Sequence, residues 1–141
     1  MINLNQILIE IRDLVKTKNK TNFVALSLFG SFAKGTQTKK SDVDLLFVFK
    51  KLPSTMPERL KLVSDILDDI EFETNLEINP IFVEEKKLNK SPILCEIAIN
   101  GKIIYEEKNI LTKFFNKINN EIKIGSIKKI ITKNHYFLQI C

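Results

Sequence analysis

The chain has no tryptophan, one histidine and only two cysteines, and each scarcity narrows what it can be. Cys95 and Cys141 lie far apart with no metal-ligand spacing, which points to a reduced, cytoplasmic protein. No apolar stretch approaches the length of a membrane span. The opening Met1-Ile2-Asn3-Leu4-Asn5-Gln6 lacks a basic start followed by an apolar run, so no signal peptide is expected there. Ten phenylalanines without a tryptophan describe a core and not a base-stacking platform. Basic residues come as short groups, Lys16 to Lys20, Lys39-Lys40 and Lys128-Lys129, and do not alternate with aromatics. The net charge of +5 would attract nucleotide, nucleic acid or an acidic protein, although a lysine-rich composition accounts for it without a dedicated nucleic-acid surface. His135 is read as a surface or packing residue, and no internal repeat or low-complexity linker is evident.

What is present is ordinary globular composition, 44% hydrophobic and 28% charged, enough for one domain plus an appendage. Leu4, Ile7, Leu8, Ile11, Leu14 and Val15 recur at helical spacing, so residues 3–19 form an amphipathic helix. Phe23 to Phe29 reads as a buried strand ended by Gly30, with a short helix starting at Ser31-Phe32-Ala33-Lys34. A second strand follows Asp42-Val43-Asp44, and one helix runs from Pro57 to about Phe72. Leu76 to Val83 is a third strand, and residues 91–100 a helix packing through Ile93, Leu94, Ile97 and Ala98. Gly101 ends that helix, and Lys102 to Glu106 forms an edge strand. The expected class is α/β (α+β), one small mixed sheet flanked by helices. From Asn109 the apolar spacing suggests two further helices, which either pack on the chain's own core or serve a partner or a dimer.

The chemistry concentrates between Gly30 and Asp44. On an extended chain Asp42 and Asp44 project to one face while Val43 and Leu45 enter the core. Two like charges so close repel unless water or a cation reaches them, and hard oxygen ligands suit Mg²⁺ completed by waters and phosphates. Gly30 lets backbone approach closely, and Ser31 can cap the short helix or donate to a phosphate oxygen. Lys34, one turn on, can offer a point charge to a terminal phosphate, and Ser41 can fix the loop or reach the metal site. Asp68, Asp69, Glu71, Glu84 and Glu85 read as solvated acidic faces.

Gly30-Ser31, ten intervening residues and Asp42-Val43-Asp44, with Lys34-Gly35 inside the gap, resemble the signature of the polymerase-beta-like nucleotidyltransferases, most of all the minimal (MNT-type) members. The resemblance implies a nucleotidyltransferase domain over residues 1–107 with a C-terminal helical extension over 108–141. It also implies three carboxylates holding two Mg²⁺ ions: Asp42, Asp44 and a third on the next strand, Glu77, with Glu73 as the fallback. Asn79 shares the strand face of Glu77 and can hydrogen-bond near the site.

In that family's chemistry an acceptor hydroxyl attacks the α-phosphorus of a nucleoside triphosphate and pyrophosphate leaves, so the implied activity is Mg²⁺-dependent transfer of a nucleoside monophosphate, AMP from ATP. Many minimal members are antitoxins encoded beside a HEPN-type toxin. The implied acceptor is accordingly a hydroxyl of such a partner, with a small molecule, an RNA end, or neutralisation by occlusion as alternatives. His135 beside Tyr136 lacks the arginine and spacing of the HEPN toxin's own motif.

Overall fold

The computed structural model describes residues 3–131 and 136–140, and the side chains of residues 3–126. His135 and Cys141 lie outside the described residues. Strands β1 (Phe23–Phe29), β2 (Val43–Phe49), β3 (Ile78–Glu84) and β4 (Lys102–Glu106) form one sheet in the order β3-β2-β1-β4. β1 is antiparallel to β2 and β4, whereas β2 and β3 are parallel, so the sheet is mixed and β4 lies on its edge as expected.

All seven residues of β1 are buried because both faces of the sheet are covered. On one face α1 (Leu4–Asn19) and α4 (Ser64–Thr74) bring Leu8, Ile11, Val15, Leu67 and Ile70 onto Leu45, Phe47 and Phe49. The rings of Phe47 and Phe82 stack at 5.8 Å there, joining β2 to β3. On the other face α5 (Pro92–Asn100) and α6 (Ile110–Lys123) bring Leu94, Cys95, Ile97, Leu111, Phe114 and Ile118 onto Leu46 and Val48.

Several sequence expectations shift by a turn or change type. The helix expected from Pro57 to Phe72 is two helices, α3 (Met56–Leu60) and α4. The break is held from outside: Lys18 Nζ donates to Lys61 O at 2.9 Å and Asn19 Nδ2 to Leu62 O at 3.3 Å, using carbonyls a continuous helix would have kept. In α5 it is Cys95 that is buried, and Ile93 is exposed. Glu84 belongs to β3, where its carboxylate accepts from Leu52 N at 3.0 Å and pairs with Lys87 at 3.2 Å, so it is not merely a solvated residue. Among the described residues the first of the two expected C-terminal helices is present and two strands take the place of the second. After α6, whose apolar residues are buried against the chain's own sheet, the chain turns at Gly125 (φ +88°) into an antiparallel hairpin, β5 (Ile127–Ile131) with β6 (Tyr136–Ile140). An isoleucine-rich run fits either period, and its β-branched residues favour the strand.

Lys16, in the basic group at the end of α1, ties that helix to the edge of the sheet. Its Nζ lies 2.5 Å from Glu107 Oε2 and 5.3 Å from the centre of the Tyr105 ring, and the Tyr105 hydroxyl donates to the same carboxylate. Burial alone would raise the Glu107 pKa, but the hydrogen bonds from Lys16 and Tyr105 outweigh it and the group is lowered. Such a carboxylate adds stability above the ordinary carboxylate range and loses it as pH falls through its lowered value. Glu107→Gln should therefore lower the thermal midpoint at neutral pH by the equivalent of about 1 kcal/mol, discounted for partial exposure. In thermal melts the gap between variant and parent should close in acid; a gap that persisted there would contradict this account.

Candidate active site

The site forms where β1 ends and β2 and β3 begin. Phe29 pairs with Asp44 across β1 and β2, and Asp44 lies beside Asn79 in the parallel β2-β3 register. Val43 N donates to Glu77 O at 2.7 Å, fixing Glu77 one residue before β3 begins. Asp44 has the parity of Leu46 and Val48, so it faces the α5 and α6 side; its neighbourhood on that face is a second core layer.

Gly30 opens the five-residue helix α2 (Gly30–Lys34) with φ +73°. A Cβ there would overlap Oδ2 of Asp44 and stand 3.1 Å from its Cγ, so the position has room only for hydrogen. The residue capping α2 is Phe29 and no side chain caps the helix, so Ser31 does not have the capping role its sequence position allowed. Lys34 Nζ is held by Glu96 Oε1 of α5 at 3.2 Å. Ser41 fixes the preceding loop, its Oγ accepting from Thr38 N at 2.8 Å.

An open pocket of about 410 Å³ is lined by Lys39, Lys40, Ser41, Asp42, Asn75, Leu76 and Glu77. Asp42 and Asp44 are half-buried and Glu77 is exposed at its rim. Glu73, the fallback third carboxylate, faces away into a groove between α1 and α4, and Glu71 accepts from Ile78 N at 3.3 Å at the start of β3. Lys39-Lys40 and Glu96 are additions that sequence spacing did not single out. The lysines stand immediately before Ser41-Asp42 and could have been suspected from that, whereas nothing local marks Glu96.

The electrostatics are those of crowded anions. Burial raises the Asp44 pKa, the charges of Asp42 and Glu96 raise it further, and a hydrogen bond from Asn79 opposes them. Glu77 is raised by its side-chain hydrogen bond with Asp42 and by that residue's charge. Among the described residues no three of His, Cys, Asp or Glu stand grouped as a ready metal site; the carboxylates interact in pairs, Asp42 with Asp44 and Asp42 with Glu77. The donors are nevertheless all hard oxygens, and the like-charge repulsion that adds to burial at Asp44 and to the Asp42 hydrogen bond at Glu77 is one a divalent cation would relieve.

This sheet, with a glycine-led turn and paired carboxylates at one end, defines a nucleotidyltransferase. Residues 10–110 match the polymerase beta, nucleotidyltransferase family, and the chain belongs to it. A Methanocaldococcus jannaschii protein provisionally named a protein adenylyltransferase is 36% identical over 123 residues, covering 85% of this chain and 84% of that protein. Among solved structures, a chain from a toxin-antitoxin crystal structure with AMP-PNP superposes with a TM-score of 0.55 at 18% identity, over 82% of this chain and 87% of that one. A chain from the Shewanella oneidensis complex of a tri-AMPylated HEPN toxin with its MNT antitoxin gives 0.53 at 15% identity, over 86% and 89%. These structural likenesses establish the fold. Among the described residues no helix is long and apolar enough to cross a membrane.

Proposed function

We propose that this nucleotidyltransferase moves AMP from ATP to a hydroxyl of a partner protein, a HEPN-type toxin, and so serves as its antitoxin. The observation that carries the reading is the open pocket of about 410 Å³ with Asp42 and Glu77 in its lining and Asp44 beside Asp42, and a basic rim at Lys39 and Lys40. The name of the 36%-identical relative supports a protein acceptor, and the tri-AMPylated toxin of the Shewanella oneidensis complex supports the partner's kind.

Asp42, Asp44 and Glu77 would hold Mg²⁺, two ions in this reading, which when bound supplies charge neutralisation for the triphosphate and its leaving pyrophosphate. The chain's own groups do the positioning. Asn79 orients Asp44, Gly30 leaves that carboxylate its space, and Ser41 holds the loop that carries Asp42. Lys34, steadied by Glu96, and Lys39-Lys40 give cationic surface for phosphate oxygens. These groups address phosphates and carboxylates, so the preference for ATP is to be read from competition among the four triphosphates; equal use of all four would overturn it.

The direct test incubates the chain with ATP, Mg²⁺ and the toxin encoded beside it, read by intact mass. A gain of one or more AMP units on the toxin is expected. A tight complex whose toxin gains no mass would replace transfer with neutralisation by occlusion.

A further inference from the structure

We infer that the groove between α1 and α4 is the docking surface for the protein acceptor, and that it takes a lysine- or arginine-rich amphipathic helix of that partner. The inference rests on the protein-acceptor reading above and adds where, and by what chemistry, the acceptor is held.

The groove encloses about 210 Å³ and is lined by Glu10 and Leu14 of α1 and by Asp65, Ile66, Asp69, Ile70 and Glu73 of α4. Its floor is apolar and its walls are acidic, on a chain whose net charge is +5. Asp65, Asp69 and Glu73 repeat every fourth residue, so three like charges stand in one row along α4, an arrangement that costs a helix stability. Glu73 and Glu71 also sit near the C-terminal end of α4, whose last turn has no basic residue, against the helix dipole. Lys18 reaches the row at its far end, 3.6 Å from Asp65; among the described residues no ion pair reaches Glu10, Asp69 or Glu73. Asp65 suits the first turn of α4 and has Lys18 beside it, but Asp69 and Glu73 gain neither, and a cationic partner would supply what they lack.

Apolar surface borders the same row. Leu14 is 44% exposed, and Phe72, on the outward side of Asp69 by helical spacing, is 89% exposed although most of the chain's other phenylalanines are buried. Exposed aromatic and aliphatic anchors flanked by charge are what a helix-in-groove partner uses, and a groove between two helices suits a third.

Along the chain the groove adjoins the connection that carries Glu77. Glu73 ends it, and two residues further on Asn75, Leu76 and Glu77 line the candidate active-site pocket. A partner helix lying along α4 would end near the α4–β3 connection that carries Glu77, on the α1 and α4 side of the sheet.

The probe is a fluorescein-labelled amphipathic helical peptide of lysine, leucine and alanine, compared with its glutamate-for-lysine counterpart by anisotropy on the full chain. The lysine peptide should bind at least about tenfold more tightly, Glu10→Lys/Asp69→Lys should erase that preference, and Phe72→Ala should weaken binding about fivefold. Equal binding of both peptides, or binding indifferent to either variant, would overturn the inference. Sedimentation showing a dimer of this chain that Glu10→Lys/Asp69→Lys dissolves would give the groove to a second copy and also overturn it. Failure of the chemistry is separable. Groove-dependent binding without AMP transfer to the toxin overturns the transferase reading and keeps the surface, whereas transfer unaffected by Glu10→Lys/Asp69→Lys does the reverse.

Discussion

Asp44→Asn should abolish Mg²⁺-dependent nucleotide transfer, by about a thousandfold or more, while leaving the fold intact. Asp44 is enclosed on several sides: paired with Phe29 across β1 and β2, hydrogen-bonded by Asn79, and flanked by Asp42 and Glu96. Its pKa lies above the ordinary carboxylate value because burial disfavours the charge. A carboxyl group whose pKa is higher folded than unfolded works against the metal-free fold when ionised, and that penalty fades as pH falls through the raised value. The neutral amide removes the penalty, so the metal-free variant should melt no lower than the parent near neutral pH. Transfer of labelled AMP measured beside a thermal melt checks both halves. Full activity in the variant would remove Asp44 from the chemistry, and a collapsed melt would show that its role is structural.

Gly30→Ala should be nearly as damaging by a different route. The methyl group would overlap the Asp44 carboxylate, and φ +73° is a conformation that side chains rarely adopt. The clash is relieved by turning the Asp44 carboxylate aside or by shifting α2 away from β2, and the first takes Asp44 from its place beside Asn79 while the second carries Lys34 and the turn with it. An expected cost of about 1–3 kcal/mol accompanies a loss of transfer of about a hundredfold or more. Gly35 makes a control, because its φ is +75° but no atom lies within 4 Å of the added methyl. Gly35→Ala should show the backbone strain without the loss of chemistry. Equal activity losses in the two variants would mean that strain, not the clash with Asp44, is what matters.

The parts of the molecule legible in the sequence were those set by local spacing. Gly30, Asp42 and Asp44 stand where a turn between two apolar runs puts them, and Pro57 and Gly101 mark helix ends as their chemistry requires. What escaped was set by partners distant in sequence. The break between α3 and α4 is held by Lys18 and Asn19, more than forty residues earlier. Glu96 approaches Asp44 because α5 covers the face to which Asp44 points; the unbroken apolar run Leu45 to Phe49 marks both faces of β2 as covered, but nothing in it says which residue of α5 arrives there. The hairpin after α6 carries a helical pattern in the sequence because a run rich in isoleucine satisfies both periodicities over so short a length.

The parallel pairing of β2 with β3 restricts how the connection between α4 and β3 can change. Asn79 sits beside Asp44, and Glu77 on the same side of the chain, only in the observed alignment. Deleting one residue from 75–77 and sliding the strand to compensate would turn both side chains through the sheet toward α1 and α4. Even a slide of two residues, which keeps the faces, would take Asn79 away from Asp44, so a change of length here spares the site only where the loop absorbs it without moving the strand.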